Sequence, residues 1–238
     1  MSKISVLIIA HNEEKYISKC IKSLLNQTQK ADEIVLIVHN SSDNTLQIAN
    51  KYSIDIISFN SSEEIIYARI EGLKNVVGDI ILCIDGDSYA KKNWVEVMTK
   101  TLKNGNILIG SWIKIKGTLF GNITNIFNKY LCILNTKNKG HWIWGPSFAF
   151  WSRDKEKIRN IFEKSIELTK KLNLSRNPDD YWLALFLNNE GKLEITNKTN
   201  VTCHQKESSS VKAICRNFES LRNGNIMRHF WRENIYEK

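Results

Sequence analysis

Apolar runs rich in β-branched residues alternate with helical patterns over the first hundred residues, and this rhythm constrains the fold most. The runs occupy residues 4–10, 34–38, 54–59 and 79–84. Near-continuous apolar strands of this kind are buried on both faces, which is typical of parallel sheets. Helical spacing is found between and after them, at residues 16–25, 45–52, 63–77 and 91–102. The sequence therefore predicts an α/β fold with a mostly parallel central sheet flanked by helices.

The second half of the chain is less regular. Its predicted elements are a strand at 107–115, a helix or lid at 119–134, a strand at 147–151, a helix at 179–187 and a late edge strand at 193–203. Residues 208–231 are predicted to be mostly helical, with a break at Gly224. We therefore expect one domain over residues 1–205, with halves 1–100 and 101–205, and a basic amphipathic helical extension over residues 206–238.

The chain is strongly basic, with a formal net charge of +9 over 238 residues. Such a balance favours anionic partners such as nucleotide phosphates, nucleic acid or anionic lipid, although a generic lysine-rich surface gives the same number. The five cysteines are odd in number and include no CxxC pair, which argues against a disulfide framework or a zinc module.

No stretch reaches the roughly 18 apolar residues that span a bilayer. The opening Met1-Ser2-Lys3 leads directly into a strand pattern, so a signal peptide is not expected. These observations predict a cytoplasmic protein, soluble or attached peripherally at the inner face of the membrane.

Three polar clusters each follow a predicted strand. They are His11-Asn12-Glu13, His39-Asn40-Ser41 and Asp85-Gly86-Asp87. Ligands of open α/β sheets bind outside the carboxyl ends of the strands, so the three clusters are expected to converge on one site.

The Asp85-Gly86-Asp87 segment carries the sharpest chemical signal. Residues i and i+2 of an extended segment point the same way, so the two carboxylates offer hard oxygen ligands for Mn²⁺ or Mg²⁺. Gly86 lets the backbone turn and a ligand approach. The alternative is an ordinary Asp-Gly turn with solvated acids.

Four segments in order resemble family 2 glycosyltransferases of the GT-A fold, a Rossmann-like variant of this sheet. They are residues 5–14, residues 41–45, residues 68–72 with Gly78-Asp79, and residues 85–87 at the position of the family's DxD motif. The resemblance is firm over residues 3–100 and loose over 140–205. It implies a nucleotide-sugar-binding first half and an acceptor-binding second half.

The resemblance also implies roles for individual residues on the donor side. His11, Glu13 and His39 would line the nucleoside pocket, and Arg69 would reach the base or the phosphates. Asp85 would contact the ribose or the metal, and Asp87 would ligate the metal. The alternatives are a surface helix charge for Arg69 and a partly buried loop histidine for His11.

The chain departs from the family pattern at two places. Ile9 stands where the family often has proline, and Val38-His39 or His39-Asn40 stand where its second loop usually carries an acidic pair. A uridine nucleotide is still expected, although the missing acid weakens any inference about the base.

On the acceptor side, Asp179 and Asp180 resemble the acidic pair that begins a helix in this family. Asp180 matches the catalytic base best and Asp179 is second, while favourable acids at a helix N-terminus are the alternative. Trp144 and Gly145 would approach the sugar, or serve core packing. His204 would contact the metal or the diphosphate, or be structural.

The resemblance implies an inverting, metal-dependent enzyme that moves one sugar from a nucleotide-diphosphate sugar, expected to be a UDP-sugar, to a hydroxyl acceptor. The acceptor would be a glycan or a lipid-linked molecule, in glycan, polysaccharide or glycolipid synthesis. The processive signature QxxRW is absent from residues 205–209, which favours single additions.

Basic and aromatic residues over 208–232 suit an anionic membrane surface, or packing on their own domain.

Three other functions are compatible with parts of the sequence. A nucleotidyltransferase shares the fold and the metal acids, but usually carries a Gly-rich basic signature near its first strand. A non-enzymatic module that binds nucleic acid or lipid would use the positive charge and would not need the strand-end acids; we expect no nucleic acid as partner. An inactive relative would explain the altered second loop.

Overall fold

The computed structural model describes residues 2–61, 64–116, 125, 143–175, 177–188, 190–204 and 222–233. The predicted helix or lid at 119–134 lies outside the described residues except for Asn125. Residues 206–221 and 234–238 of the predicted extension lie outside them as well.

In the described residues, eight strands form one sheet. They are β1 (Ile4–Ala10), β2 (Glu33–His39), β3 (Asp55–Phe59), β4 (Ile80–Asp85), β5 (Ser88–Ala90), β6 (Asn106–Lys116), β7 (Ser147–Trp151) and β8 (Lys192–His204). The helices are α1 (Ile17–Leu25), α2 (Thr45–Ala49), α3 (Ile66–Asn75), α4 (Trp94–Lys103), α5 (Lys155–Lys171) and α6 (Asp179–Leu187). Residues 222–231 form a further helix.

The strand order is β3-β2-β1-β4-β7-β6-β8-β5. Strands β1 to β4 are mutually parallel where they pair, β7 runs antiparallel to β4 and β6, and β8 is parallel to β6. The predicted mostly parallel sheet is therefore confirmed in its first half. The prediction of 193–203 as an edge strand is wrong, because the short β5 pairs with the end of β8 and takes the edge.

Each central strand feeds two cores, one on each face of the sheet. Leu7 and Ile9 of β1 pack toward α3, α5 and α6, whereas Val6 and Ile8 pack toward α1 and α4. All seven residues of β1 are buried. This explains why the first strands appear in the sequence as continuous apolar runs with no polar face.

The helix α5 is the main element that the sequence analysis misses. Its buried side chains recur at helical spacing, at Ile158, Ile161, Phe162, Ser165 and Ile166. The signal was therefore present, although it is diluted by the basic and acidic residues of the solvated face.

The helix at 222–231 packs against α5 and α6. The rings of Phe186 and Trp231 lie edge to face with centroids 4.6 Å apart, and Met227 is fully buried. The predicted break at Gly224 is wrong, since the helix continues through this residue. In this part of the predicted extension, apolar side chains therefore pack on the chain's own domain.

Within the described ranges, no helix is both long enough and apolar enough to cross a bilayer.

Gly78 brings the start of β4 against β1. Its N–H donates to Ser5 Oγ at 2.8 Å, and a Cβ at this position would lie 2.7 Å from the backbone nitrogen of Ser5. Backbone atoms do not yield as a flexible side chain does, so Gly78→Ala is expected to lower the free energy of unfolding by about 1–3 kcal/mol. Urea denaturation followed by circular dichroism measures the change.

Gly224→Ala is the matched control for this prediction. A Cβ there meets its nearest neighbour, Tyr181, at an ordinary 3.8 Å. Within a helix the change is expected to be neutral or to stabilise by up to about 1 kcal/mol. Equal denaturation midpoints for Gly78→Ala and the unaltered protein would contradict the close packing of β1 and β4.

Candidate active site

The three predicted polar clusters lie at the carboxyl ends of β1, β2 and β4, which are neighbours in the sheet. His11 Nδ1 lies 2.9 Å from the carbonyl oxygen of His39, which joins the first cluster to the second. The N–H of Gly86 donates to the carbonyl of Ile9 at 2.8 Å, which joins the third to the first. The clusters are far apart in sequence, and the parallel register alone brings them together.

The first two loops are held in place by side chains that bond to backbone groups. Asn12 and Asn40 both have positive φ, at 55° and 50°, a conformation that asparagine tolerates better than most residues. The N–H of Ser42 donates to Asn12 Oδ1 at 2.8 Å. The N–H of Glu13 donates to Thr45 Oγ1 at 2.7 Å, and the Glu13 side chain is buried. The loops are therefore ordered before any ligand arrives.

The imidazole of His39, at the end of β2, is packed inward. The residue is 2% exposed, its Nε2 lies 2.9 Å from Ser61 Oγ, and its ring centroid is 4.8 Å from that of Phe59. Burial, together with the nearby His11, lowers the pKa of His39, so a neutral imidazole is favoured. Of the two histidines, His11 is the one exposed at the surface of the site.

A buried cation, Arg69 of α3, lies at the centre of the site. Its Nη2 is 2.7 Å from Asp85 Oδ1 and its Nε is 2.9 Å from Asp179 Oδ2. The same Nη2 donates to the carbonyl of Gly145 at 3.3 Å. Burial opposes the charge on Arg69, but Asp85 and then Asp179 outweigh it and raise the pKa of Arg69. The guanidinium therefore joins the strand-end acid of the first half to the helix-start acid of the second.

The guanidinium has one nitrogen to spare. Its Nη1 is buried and makes no hydrogen bond within the described part of the chain, while its Cζ lies 5.5 Å from the ring of Phe148. Arg69 was expected to reach the base or phosphates of the donor. The structure instead places two of its three nitrogens on protein groups, so at most one remains for a ligand.

Asp180 is a half-buried carboxyl group that the backbone of Gly145 holds. The N–H of Gly145 donates to Asp180 Oδ2 at 2.8 Å, and the N–H of Tyr181 donates to Oδ1 at 2.8 Å. Burial, together with the charge of Asp179, raises the pKa of Asp180 to about 6. A carboxyl group with a pKa in this range matches what a general base needs near neutral pH. The carboxylate of Asp179 differs from that of Asp180 because it forms an ion pair with Arg69.

Gly145 therefore contacts both partners through its backbone, with its carbonyl on Arg69 and its N–H on Asp180. Trp144, the other residue predicted for the sugar pocket, is half-buried and packs against both hydrophobic cores. Of the predicted pair, Gly145 thus takes part in the site through its backbone, and Trp144 takes part in core packing.

Asp87 and His204 meet at the ladder between β5 and β8. The N–H of His204 donates to the backbone carbonyl of Asp87 at 3.4 Å. The imidazole stacks on Tyr16 with centroids 4.4 Å apart, and its Nε2 is buried without a hydrogen-bond partner in the described residues. Burial, with a contribution from Lys19, lowers the pKa of His204. A neutral imidazole with an unused ring nitrogen is the form that binds metals.

These donors fit a divalent cation as an open site. The residues described by the structure contain no group of three or more His, Cys, Asp or Glu side chains that could hold a metal ion. A hard cation bound through one or two carboxylates, with waters and substrate phosphates as the other ligands, needs no such group. Asp87 and His204 fit this arrangement better than Asp85, whose Oδ1 is bonded to Arg69.

Sequence reasoning missed Ser61, Ser88 and Cys203. Ser61 bonds to His39, and Ser88 Oγ lies 2.9 Å from Asp87 Oδ1. Cys203 lies 3.0 Å from Ser88 Oγ, and burial, with a contribution from Asp87, raises the pKa of its thiol. The position of Ser88 directly after the acidic motif was the available signal for one of them.

The sequence of this chain is similar to those of known glycosyltransferases. The model of the family described as glycosyl transferase family 2 matches residues 5–162, more than half of the chain. A glucosyl-dolichyl phosphate glucuronosyltransferase of Haloferax volcanii is 22% identical over 72% of this chain and 54% of its own length. A probable glycosyltransferase of Bacillus subtilis is 28% identical over 73% of this chain and 46% of its own. The chain thus spans about half the length of these curated relatives.

Solved structures share the fold at low sequence identity. Glucosyl-3-phosphoglycerate synthase from Mycobacterium tuberculosis, crystallised with Mg²⁺ and uridine diphosphate, superposes with a TM-score of 0.59 at 17% identity. The match covers 90% of this chain and 74% of that one. With the sheet order and the strand-end clusters, the extent of the family match is decisive: the chain belongs to glycosyl transferase family 2.

Proposed function

We propose that this chain transfers one sugar from a nucleotide-diphosphate sugar to an acceptor hydroxyl, with inversion at the anomeric carbon. One observation carries the proposal. Asp180, a half-buried carboxyl group with a pKa raised to about 6, is connected through Gly145 and Arg69 to Asp85 at the end of β4. A group able to take a proton is thereby fixed next to the group expected to bind the donor.

In the proposed reaction, Asp180 accepts the proton of the acceptor hydroxyl while the oxygen attacks the anomeric carbon. The bond between that carbon and the diphosphate oxygen breaks through an oxocarbenium-like state, and the diphosphate leaves with the bonding pair. Attack opposite the leaving group inverts the configuration. A divalent cation bound through Asp87 and His204 would neutralise the charge of the departing diphosphate.

A uridine nucleotide is the donor that we propose. The solved structure of similar fold described above, with a TM-score of 0.59, holds uridine diphosphate together with Mg²⁺. Exposed His11 and the loop of Asn12 and Ser41 lie beside the carboxyl end of β1, where the nucleoside would bind. His39, being packed on Ser61, would support this pocket from behind and would not contact the base through its ring.

We propose a lipid-linked or glycan acceptor. A relative that matches 72% of this chain is named for a dolichyl phosphate substrate, which supports a lipid-linked one.

Membrane contact through residues 208–232 stays a prediction. In the described part of that segment Met227 and Trp231 are buried, whereas Arg222, Arg228 and Arg232 are exposed, so only the basic face is available to a membrane.

Asp180→Asn tests the proposed base. Because asparagine cannot take the proton, kcat is expected to fall by about 10²- to 10⁴-fold, whereas UDP affinity stays the same. Release of UDP in the presence of acceptor measures the first, and calorimetric titration measures the second. Asp55→Asn, an exposed change on β3, is the matched control. Normal turnover by Asp180→Asn would exclude this residue as the base.

The pH dependence of the reaction follows from the same group. Asp180 must be deprotonated to act, and its pKa is raised to about 6. The value of kcat/KM is therefore expected to rise tenfold per pH unit below about 6 and to level off above about 7. A profile recorded between pH 4.5 and 8.5 measures this limb. A profile flat down to pH 5 would contradict the assignment.

The raised pKa also predicts a stability cost. The pKa in the folded protein lies above the ordinary value of 3.8, so burial of the charged form destabilises the fold above pH 6, and this cost disappears below pH 4. Asp180→Asn is therefore expected to raise the unfolding free energy by roughly 1–3 kcal/mol at pH 7.5, and not at pH 3.5. Urea denaturation at both pH values measures the difference; equal stability at pH 7.5 would contradict the buried charge.

A further inference from the structure

Two side chains lie directly behind Asp87, on the short ladder between β5 and β8. Ser88 and Cys203 are register partners in this antiparallel pair, with Asp87 immediately before the first and His204 immediately after the second. Ser88 is 1% exposed. The two proposed metal ligands therefore flank one cross-strand pair, of which Ser88 is buried and Cys203 half-buried.

The atoms of this pair form a chain. Ser88 Oγ lies 2.9 Å from Asp87 Oδ1 and 3.0 Å from Cys203 Sγ. A hydroxyl group has one proton and an ionised carboxylate has none, so Ser88 must donate to Asp87. The Cys203 thiol is then the donor to Ser88 Oγ. The order of donation is thus fixed as thiol to hydroxyl to carboxylate.

We propose that Ser88, oriented by Cys203, is a positioning residue that fixes the carboxylate of Asp87 for the divalent cation of the donor complex. The inference rests on the proposed function, in which Asp87 binds that cation. Groups that hydrogen-bond to metal ligands fix their orientation, and their removal typically costs about 10- to 100-fold in metal affinity.

The location of Asp87 makes such support necessary. It lies between β4 and the three-residue β5, and β5 pairs with β8 alone among the described strands. A carboxylate on so short an edge segment has two side-chain torsions to order when it binds a cation. The hydrogen bond from Ser88 restricts these torsions in advance. The Cys203 thiol donates to Ser88 Oγ, so this oxygen accepts a hydrogen bond from Cys203. The proton of Ser88 therefore stays directed at Asp87.

The test is Mn²⁺ affinity of the full chain, measured in the presence of saturating UDP by the loss of the free-ion electron paramagnetic resonance signal. Ser88→Ala is expected to weaken Mn²⁺ binding about tenfold, and Ser88→Thr, which keeps the hydroxyl, to restore it to within about threefold. Ser18→Ala is the matched control, since it removes from α1 a hydroxyl group that bonds to the hydroxyl of Tyr52 and not to Asp87. UDP affinity without metal is expected to be equal in all four proteins.

Cys203 gives a second and independent pair of variants. Cys203→Ser keeps a donor for Ser88 and is expected to retain Mn²⁺ affinity, whereas Cys203→Ala removes the donor and is expected to weaken it about threefold. Thermal melting of each variant verifies that it is folded.

The outcomes separate the positioning role from the proposed function. Tight Mn²⁺ binding by the unaltered protein with equal affinity in Ser88→Ala would overturn the role of Ser88 and leave the proposed function intact. A loss shared equally by Ser18→Ala would also overturn it. No Mn²⁺ binding by the unaltered protein with UDP would overturn both.

Discussion

The ion pairs of Arg69 with Asp85 and Asp179 are the interaction on which the rest of the site depends. A buried charge is costly unless it is paired, and here one guanidinium compensates two acids that come from opposite halves of the chain. Its carbonyl partner, Gly145, also holds Asp180. Because α3 carries Arg69 and packs on the sheet beside β1 and β2, the position of the proposed base is tied to the strands that we propose to bind the donor.

The environment of Asp180 lowers the stability of the fold and also suits this residue to the proposed role of base. Asp180 is half-buried next to a second acid, an arrangement that raises its pKa and opposes folding at neutral pH. The same burial gives the group the proton affinity that a base requires. Two backbone N–H donors, from Gly145 and Tyr181, limit the cost by bonding to both oxygens of the carboxylate.

Much of the first half could be predicted from the sequence, because continuous apolar runs specify parallel strands and parallel strands bring their carboxyl ends together. Asp85 and Asp87 could be located in this way. The ion pairs of Arg69 could not, since they join residues that only the packing of α3 and α6 makes neighbours. The role of Ser88 depends on the register of a three-residue strand, which is too short to show a pattern. The inward packing of His39 could have been predicted from the sequence. Alternate residues of a strand point to the same face, so His39 lies on the face of β2 that carries the buried Val35 and Ile37.

We propose that the strand-end acids form a metal-dependent nucleotide site beside the base Asp180. The most direct measurement is calorimetric titration of UDP into the unaltered protein, with and without Mn²⁺. UDP binding is expected to tighten at least about tenfold with the metal, since Asp87 and the diphosphate would share the cation. Failure of UDP to bind with Mn²⁺ present would contradict this proposal.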